Sequence, residues 1–272
     1  MAKASMPIKG PFKGSVTGSV KGTQPEGATS EIDAARKVRE MFTEIAPRYD
    51  LLNHLLSLQL DRMWRARAAK HLQPILERPG AVVLDLCCGT GDLALAFARA
   101  GKARVIGADF AHSMLVRARK KIAMRTPGGD DKETPATIFL EADALRLPFA
   151  DSSFDLAAAA FGFRNLANYE AGLREIWRVL KPGGTIAILE FTEPREDFLG
   201  EMYRWYFFKV LPKIGGVISG HPSAYSYLPK SIARFLQPAE LASLLSAVGY
   251  KDVEYRLWTL GTVALHVGRR PG

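Results

Sequence analysis

Apolar positions along this chain follow three successive patterns. Over residues 31–47, Val38, Met41, Phe42 and Ile45 recur at helical spacing and stop near Pro47. A second helical stretch, LDRMWRARAAKHLQPIL, follows Leu58. From Ala81 the pattern changes to short apolar runs alternating with helical segments. AVVLDLCC, ARVIGAD, ATIFLEAD, FDLAAAAF and TIAILEF read as strands buried on both faces, with DLALAFARAG, SMLVRARKKIAMR and EAGLREIWRVL as helices among them. TPGGDDKETP reads as a loop and KPGG as a turn. After Glu193 comes an aromatic helical stretch, FLGEMYRWYFFKVLPKIGGVI, then the helix PAELASLLSAVG and the strands DVEYRLW and TVALHVGRR. Strands joined by helices predict an α/β fold with a mostly parallel seven-stranded sheet, helices on both faces and an N-terminal helical cap.

The same patterns divide the chain. Residues 1–30, rich in Gly, Ser, Thr and Lys, lack the apolar content to repay ordering and read as a flexible tail. The expected divisions are a cap over 31–80, a ligand-binding core over 81–193, a lid insertion over 194–236, and a last helix and strands over 237–272.

Composition changes this picture little. With 47% hydrophobic and 24% charged residues, the chain is an ordinary globular protein, so disorder belongs only at its ends. The net charge of +9 permits an anionic partner without choosing one, because the Lys and Arg residues are spread along the chain and partly lie in the tail. Nucleic acid is therefore not expected. The two cysteines, Cys87 and Cys88, are neighbours without metal-ligand spacing, which suggests a reduced, cytoplasmic protein with no metal. No apolar run reaches the length of about 18 residues needed to span a membrane.

Candidate chemistry gathers at the carboxyl ends of the strands, where open parallel sheets bind ligands. In VVLDLCCGTGDLA, Gly89 and Gly91 permit a tight turn close to a ligand, ahead of a helix N-terminus. Asp109 ends the second strand, where a carboxylate can accept both ribose hydroxyls, and Asp143 follows the third, with Ala144 beside it to pack on a flat base. Each acid alone is more commonly a helix cap. Cys87 replaces the first glycine of the usual dinucleotide turn, so a nucleoside bearing a cationic sulfur suits the acids better than a pyrophosphate does. That favours S-adenosyl-L-methionine, with Asp85 supporting its methionine end.

Two longer motifs carry a resemblance. YDLLNHLLSLQLDRMW (Tyr49 to Trp64) and RVLKPGGTIAILEFT (Arg178 to Thr192), with LDLCCGTGDL, LPFADSSFD, FGFRN and YSYLPKSI in the same order, resemble the ubiquinone/menaquinone biosynthesis C-methyltransferase family from about Met41 onward. That family belongs to the class I S-adenosylmethionine-dependent methyltransferases, with a Rossmann-like fold. Asp61 stands where the family usually has histidine, Thr192 where it has serine, Leu236 near a usual proline, and Ala160 where a serine often contacts the cofactor.

The resemblance implies that Thr90, Asp109, Asp143 and Ala144 bind S-adenosyl-L-methionine. It also implies methyl transfer to a ring carbon of a polyprenylated quinol, demethylmenaquinol or its ubiquinone-pathway counterpart, with the wording of CCGTGDL and GADF nearer the menaquinone pathway. A quinol ring becomes a good carbon nucleophile as its hydroxyl loses a proton. Arg164 and Asn165, at the tip of the fourth strand, are expected to stabilise and orient the ring oxygen, and Tyr49 and Asp50 to reach the substrate from the cap. The aromatic helix over 198–218 is the expected surface for the prenyl chain, for transient contact with the cytoplasmic membrane face, or for a homodimer. A non-catalytic cofactor-binding protein and a nucleic-acid methyltransferase are the competing classes.

Overall fold

A computed structural model describes residues 22–50, 57, 59–125, 137–193 and 222–272. The cap opens with helix α1, Glu31–Ile45. Its start is set locally: extended Ser30 accepts a hydrogen bond from Asp33 N, and Glu31 and Asp33 place acids at the positive end of the helix dipole. A single 3-10 turn, Ala46–Arg48, follows at the predicted stop. Helix α2, Leu60–Leu76, coincides with the predicted stretch. Its buried Trp64 packs on Phe161 and Phe191 and donates its indole N–H to Thr259 Oγ1 at 2.8 Å.

The core then runs β1 (Val82–Leu86), α3 (Asp92–Ala100), β2 (Arg104–Asp109), α4 (His112–Arg125), β3 (Ile138–Glu141), β4 (Phe154–Ala160), α5 (Tyr169–Val179) and β5 (Leu180–Phe191). Helices α6 (Pro222–Ala233) and α7 (Pro238–Val248) precede β6 (Lys251–Trp258) and β7 (Val263–Arg269). The seven strands form one sheet in the order β3-β2-β1-β4-β5-β7-β6. β1 to β5 pair in parallel, while β7 is antiparallel to both β5 and β6. Strand order reverses between β1 and β4, which opens a crevice at their carboxyl ends.

Alternation of side chains across the strands builds a core on each face. Val83, Val105, Leu156 and Ala158 meet Leu72 and Leu76 of α2, Phe97 of α3 and Leu115 of α4. On the other face Leu84, Ala157, Ala159 and Ile186 meet Leu173 and Ile176 of α5 and Leu241 and Leu245 of α7. KPGG, expected as a turn before β5, is a bulge within it: the register jumps between the pairs Phe154↔Leu180 and Leu156↔Thr185. His266 on β7 is buried with Nε2 2.9 Å from Pro238 O, and burial lowers its pKa to about 4, so it is a neutral core residue.

The expected tail over 1–30 needs correction at its end. Thr23 is buried and donates its N–H to Leu166 O at 2.7 Å. Any side chain at position 22 would collide with the backbone of Leu166 and Ala167, so only glycine permits this approach. Arg234 Nη1 donates to Gln24 O at 2.8 Å, and Lys230 pairs with Glu26 at 3.1 Å. Glycine and polar residues read as disorder, yet here their backbone groups bond to Arg234, just after α6, and to the turn after β4.

Candidate active site

The crevice at the switch point is a cleft of about 680 Å³, counting its open mouth. Its floor is the row of strand tips. Cys87 and Gly89 come from the turn after β1, Asp109 and Phe110 from the end of β2, Asp143, Ala144 and Leu145 from beyond β3, and Phe161, Gly162 and Asn165 from beyond β4. Ala35, Phe42 and Tyr49 of the cap line it too, with Met114 of α4.

The turn after β1 is held from below and from the side. Gly91 has φ +82, and a Cβ there would strike the ring of Phe139, so two constraints require glycine at once. Asp85 is fully buried, and its Oδ2 accepts from Ala94 N at 2.8 Å under the first turn of α3. Its Oδ1 has no partner among the described residues, and burial, above all, raises its pKa to about 8. Asp85 thus faces the turn rather than the cleft. Asp109 bridges two backbones: Oδ2 accepts from Gly89 N at 2.8 Å and Oδ1 from Ala111 N at 2.9 Å. Burial lifts its pKa to about 6 against the pull of those amides. Asp143 Oδ1 accepts from Leu145 N at 2.9 Å, while Ala144 is buried beside it.

Other predicted residues stand elsewhere. Thr90 is buried away from the cleft wall and donates its hydroxyl to Asp50 Oδ1. Asp50, expected at the substrate, pairs instead with Lys121 Nζ at 2.7 Å, and the same Nζ reaches Asp92 at 2.7 Å and Thr90 Oγ1 at 2.9 Å. A carboxylate that lies beside an ammonium group on α4 works as a latch between cap and core. Asp61, the departure from the family's histidine, is buried and pairs with Arg65, with Ser57 Oγ donating to it at 2.6 Å. Ala160 is half-buried opposite Leu189 and packs among core residues rather than lining the cleft.

The largest difference concerns Arg164. It was expected to emerge toward the reacting atoms, but its guanidinium turns inward and is buried. Nη1 donates to Glu190 Oε1 at 2.8 Å and to Phe161 O, Nε donates to Ser231 Oγ at 3.2 Å, and its backbone N–H donates to Glu190 Oε2 at 3.2 Å. Its carbonyl accepts from Tyr169 Oη at 2.9 Å. Burial opposes the charge on Arg164, and Glu190, with smaller help from Tyr227 and Tyr49, holds the guanidinium pKa above its ordinary value. The next residue, Asn165, is the polar side chain that this turn presents to the cleft, and its Oδ1 accepts from Tyr227 Oη at 2.9 Å.

Sequence reasoning passed over Glu190, Tyr227 and Lys121. Glu190 had a signal: an acid inside the apolar run AILEF must find a buried partner. Lys121, in the run RKK, looked like one more solvated charge. Phe42 reads only as an apolar position of the first helix, and Phe110, Met114 and Leu145, which also line the cleft, carry no signal of their own. Among the described residues there is no group of three or more His, Cys, Asp or Glu side chains able to hold a metal ion.

The ion pair yields a direct test. Glu190→Leu leaves a buried unpaired guanidinium and should cost about 3–5 kcal/mol in urea unfolding, whereas Arg164→Met with Glu190→Leu together should cost clearly less than that single change.

Known proteins agree with this architecture. A demethylmenaquinone methyltransferase of Thermus thermophilus is 50% identical over 85% of this chain and 100% of its own length. A ubiquinone/menaquinone biosynthesis C-methyltransferase of Geobacter sulfurreducens is 39% identical over 88% of this chain and 90% of its own length. In structure, a SAM-dependent methyltransferase from Thermotoga maritima superposes with a TM-score of 0.57 at 22% identity, over 85% of this chain and 98% of its own. The model of the ubiE/COQ5 methyltransferase family matches residues 30–270. With a family match across nearly the whole chain and relatives covered over nearly their whole length, this chain belongs to the ubiE/COQ5 methyltransferase family.

Proposed function

We propose that the chain transfers the methyl group of S-adenosyl-L-methionine to an unsubstituted ring carbon of a polyprenylated quinol, converting demethylmenaquinol to menaquinol. One observation carries the reading: a single cleft runs from the acids beyond β2 and β3 to Asn165 beyond β4, under the aromatic side chains of the cap. The names of the relatives supply the ring chemistry.

The residues present suit the donor. Asp109 is a buried carboxylate already short of solvent, so hydroxyl donors such as a ribose diol suit its remaining lone pairs. Asp143, with Ala144 and Leu145, offers an acceptor next to a flat apolar surface fit for a purine. Gly89, at φ +54, faces Tyr49, whose ring edge lies 3.8 Å from where a Cβ would stand, so the missing side chain leaves room for a ligand atom between them. Asp85 supports this end through the turn that it holds. When bound, S-adenosyl-L-methionine supplies an electrophilic methyl group on a sulfonium centre.

The chain's own work lies at the other end of the cleft. Phe42, Tyr49 and Phe161 give apolar walls that exclude water and suit an aromatic ring. Asn165 hydrogen-bonds the ring oxygen, and as the hydroxyl loses its proton that bond stabilises the growing charge. The ring carbon takes up the methyl group as the methyl–sulfur bond breaks and S-adenosylhomocysteine is left, and it then loses its hydrogen as a proton to water at the open mouth of the cleft, which restores the aromatic ring. Arg164 serves as a positioning residue, since its bonds to Glu190, Phe161 and Ser231 fix the backbone that carries Asn165. The prenyl chain is assigned to the stretch over 198–218, which lies outside the described residues. No helix among the described residues is long and apolar enough to cross a membrane.

Two measurements test this. With methyl-labelled donor, label should enter the ring of reduced demethylmenaquinone. The demethylated ubiquinone precursor, tested in parallel because the Geobacter relative is named for both pathways, decides the ring. Label in neither product overturns the reading. The second concerns Asp109, whose pKa of about 6 means that its ionised form must be regained for donor binding below that pH. The Kd for S-adenosylhomocysteine should be flat above neutrality and rise toward about tenfold per pH unit below that pKa. Asp109→Asn should weaken binding and flatten this dependence. A flat profile in the wild type contradicts the assignment.

A further inference from the structure

The amide of Asn165 is not free to turn. Tyr227 Oη donates to Asn165 Oδ1 at 2.9 Å, and the same oxygen lies 2.8 Å from Thr23 Oγ1. A phenol has one proton to donate, and here it goes to Asn165, so Thr23 must be the donor to Tyr227. The bonds therefore run in one direction, from the Thr23 hydroxyl through Tyr227 to the carbonyl of Asn165. The Nδ2 of Asn165 has no partner among the described residues, and its residue lines the cleft. Burial raises the Tyr227 phenol above its ordinary value, against the influence of Thr23 and Arg164, so it remains a donor.

The outer end of this chain of bonds is anchored. Thr23 is buried and held at Leu166 O, and its neighbours are tied to Lys230 of α6 and to Arg234 just after it. Thr23 also lies ahead of residue 30, where the family match begins.

We infer that Thr23 and Tyr227 are positioning residues that lock the Asn165 amide with its N–H groups toward the reacting ring oxygen, so that the N-terminal strap of this chain tunes the acidity of the bound quinol. This rests on the function proposed above. A donor-only contact favours the ionised ring oxygen, whereas a flipped amide would present a carbonyl and favour the protonated form. Charged and titratable groups around this relay are Arg164 and Glu190 at the strand tips, Lys230 on α6 and Arg234 just after it, Tyr169 on α5, Lys37, Glu40 and Glu44 on α1, and Glu26 on the strap. Across the cleft stand Tyr49, Cys87, Asp109 and Asp143. All of them stay in place in the variants below, so a difference reports the hydroxyls alone.

The test uses the full chain with S-adenosylhomocysteine and 4-nitro-1-naphthol, whose ionised form absorbs visible light. Tyr227→Phe should raise the pKa of the bound naphthol by about one unit. It should also lower kcat on the quinol by about tenfold to a hundredfold, with the Kd for S-adenosylhomocysteine unchanged. Thr23→Val should shift both in the same direction by less, and Thr23→Ser should match the wild type. Tyr227→Phe with wild-type kcat and bound pKa overturns the inference while leaving the function intact. A lowered bound pKa in Tyr227→Phe also overturns it, since that is the signature of the flipped amide. Wild-type protein that neither methylates the quinol nor binds the naphthol overturns the function and this inference together.

Discussion

Burying the Arg164 guanidinium against Glu190 constrains everything around the tip of β4. A lone guanidinium cannot be buried there, because its desolvation would cost several kcal/mol with nothing to offset it. The acid must therefore come from the adjacent strand, at the register that places Glu190 beside the exit of β4. Nη1 also reaches Phe161 O and Nε reaches Ser231, which draws α6 onto the same turn. The backbone between Gly162 and Leu166 is thus gripped from three elements, and Asn165 is carried by it. Precision at one neutral side chain is achieved by burying a charged one next to it.

The cap is held by a second set of charges of a different kind. Asp50, Lys121, Asp92, Arg65 and Asp61 form a continuous ionic path from the cap to α4 and α3. Arg39 of α1 pairs with Glu141 at the end of β3 on the other side of the cleft. The Arg39–Glu141 pair is partly exposed, so it contributes little to global stability. Such contacts align helices over the strand tips. Asp61 fits this network, since its carboxylate pairs with Arg65, which also lies 4.0 Å from Asp92.

Much of this was legible from the residues themselves. The alternation of short apolar runs and helical segments predicted the seven strands, and LDRMWRARAAKHLQPIL matched α2 residue for residue. The glycine turn and the acids Asp109 and Asp143 do line one cleft, because strand tips in a parallel sheet share an edge whatever the side chains do. What escaped were contacts between residues far apart in the chain. Thr23 and Tyr227 are separated by 204 positions, and nothing local in a Gly- and Thr-rich segment announces that it will be pinned there. For Asp50 and Arg164 the charged side chain meets a counter-ion rather than lining the cleft. Which way a long charged side chain turns depends on where its counter-ion lies, and for these two that is Lys121 and Glu190.

Replacing Asn165 separates the group proposed to meet the reacting oxygen from the ion pair that holds its turn. Steady-state turnover of Asn165→Ala on the reduced demethylated quinone, taken together with its Kd for S-adenosylhomocysteine and its unfolding free energy, tests that division most directly. A drop in kcat of about a hundredfold or more, with donor affinity and stability near wild type, is the expected result. Turnover within a few-fold of wild type in a folded, donor-binding Asn165→Ala protein would contradict it.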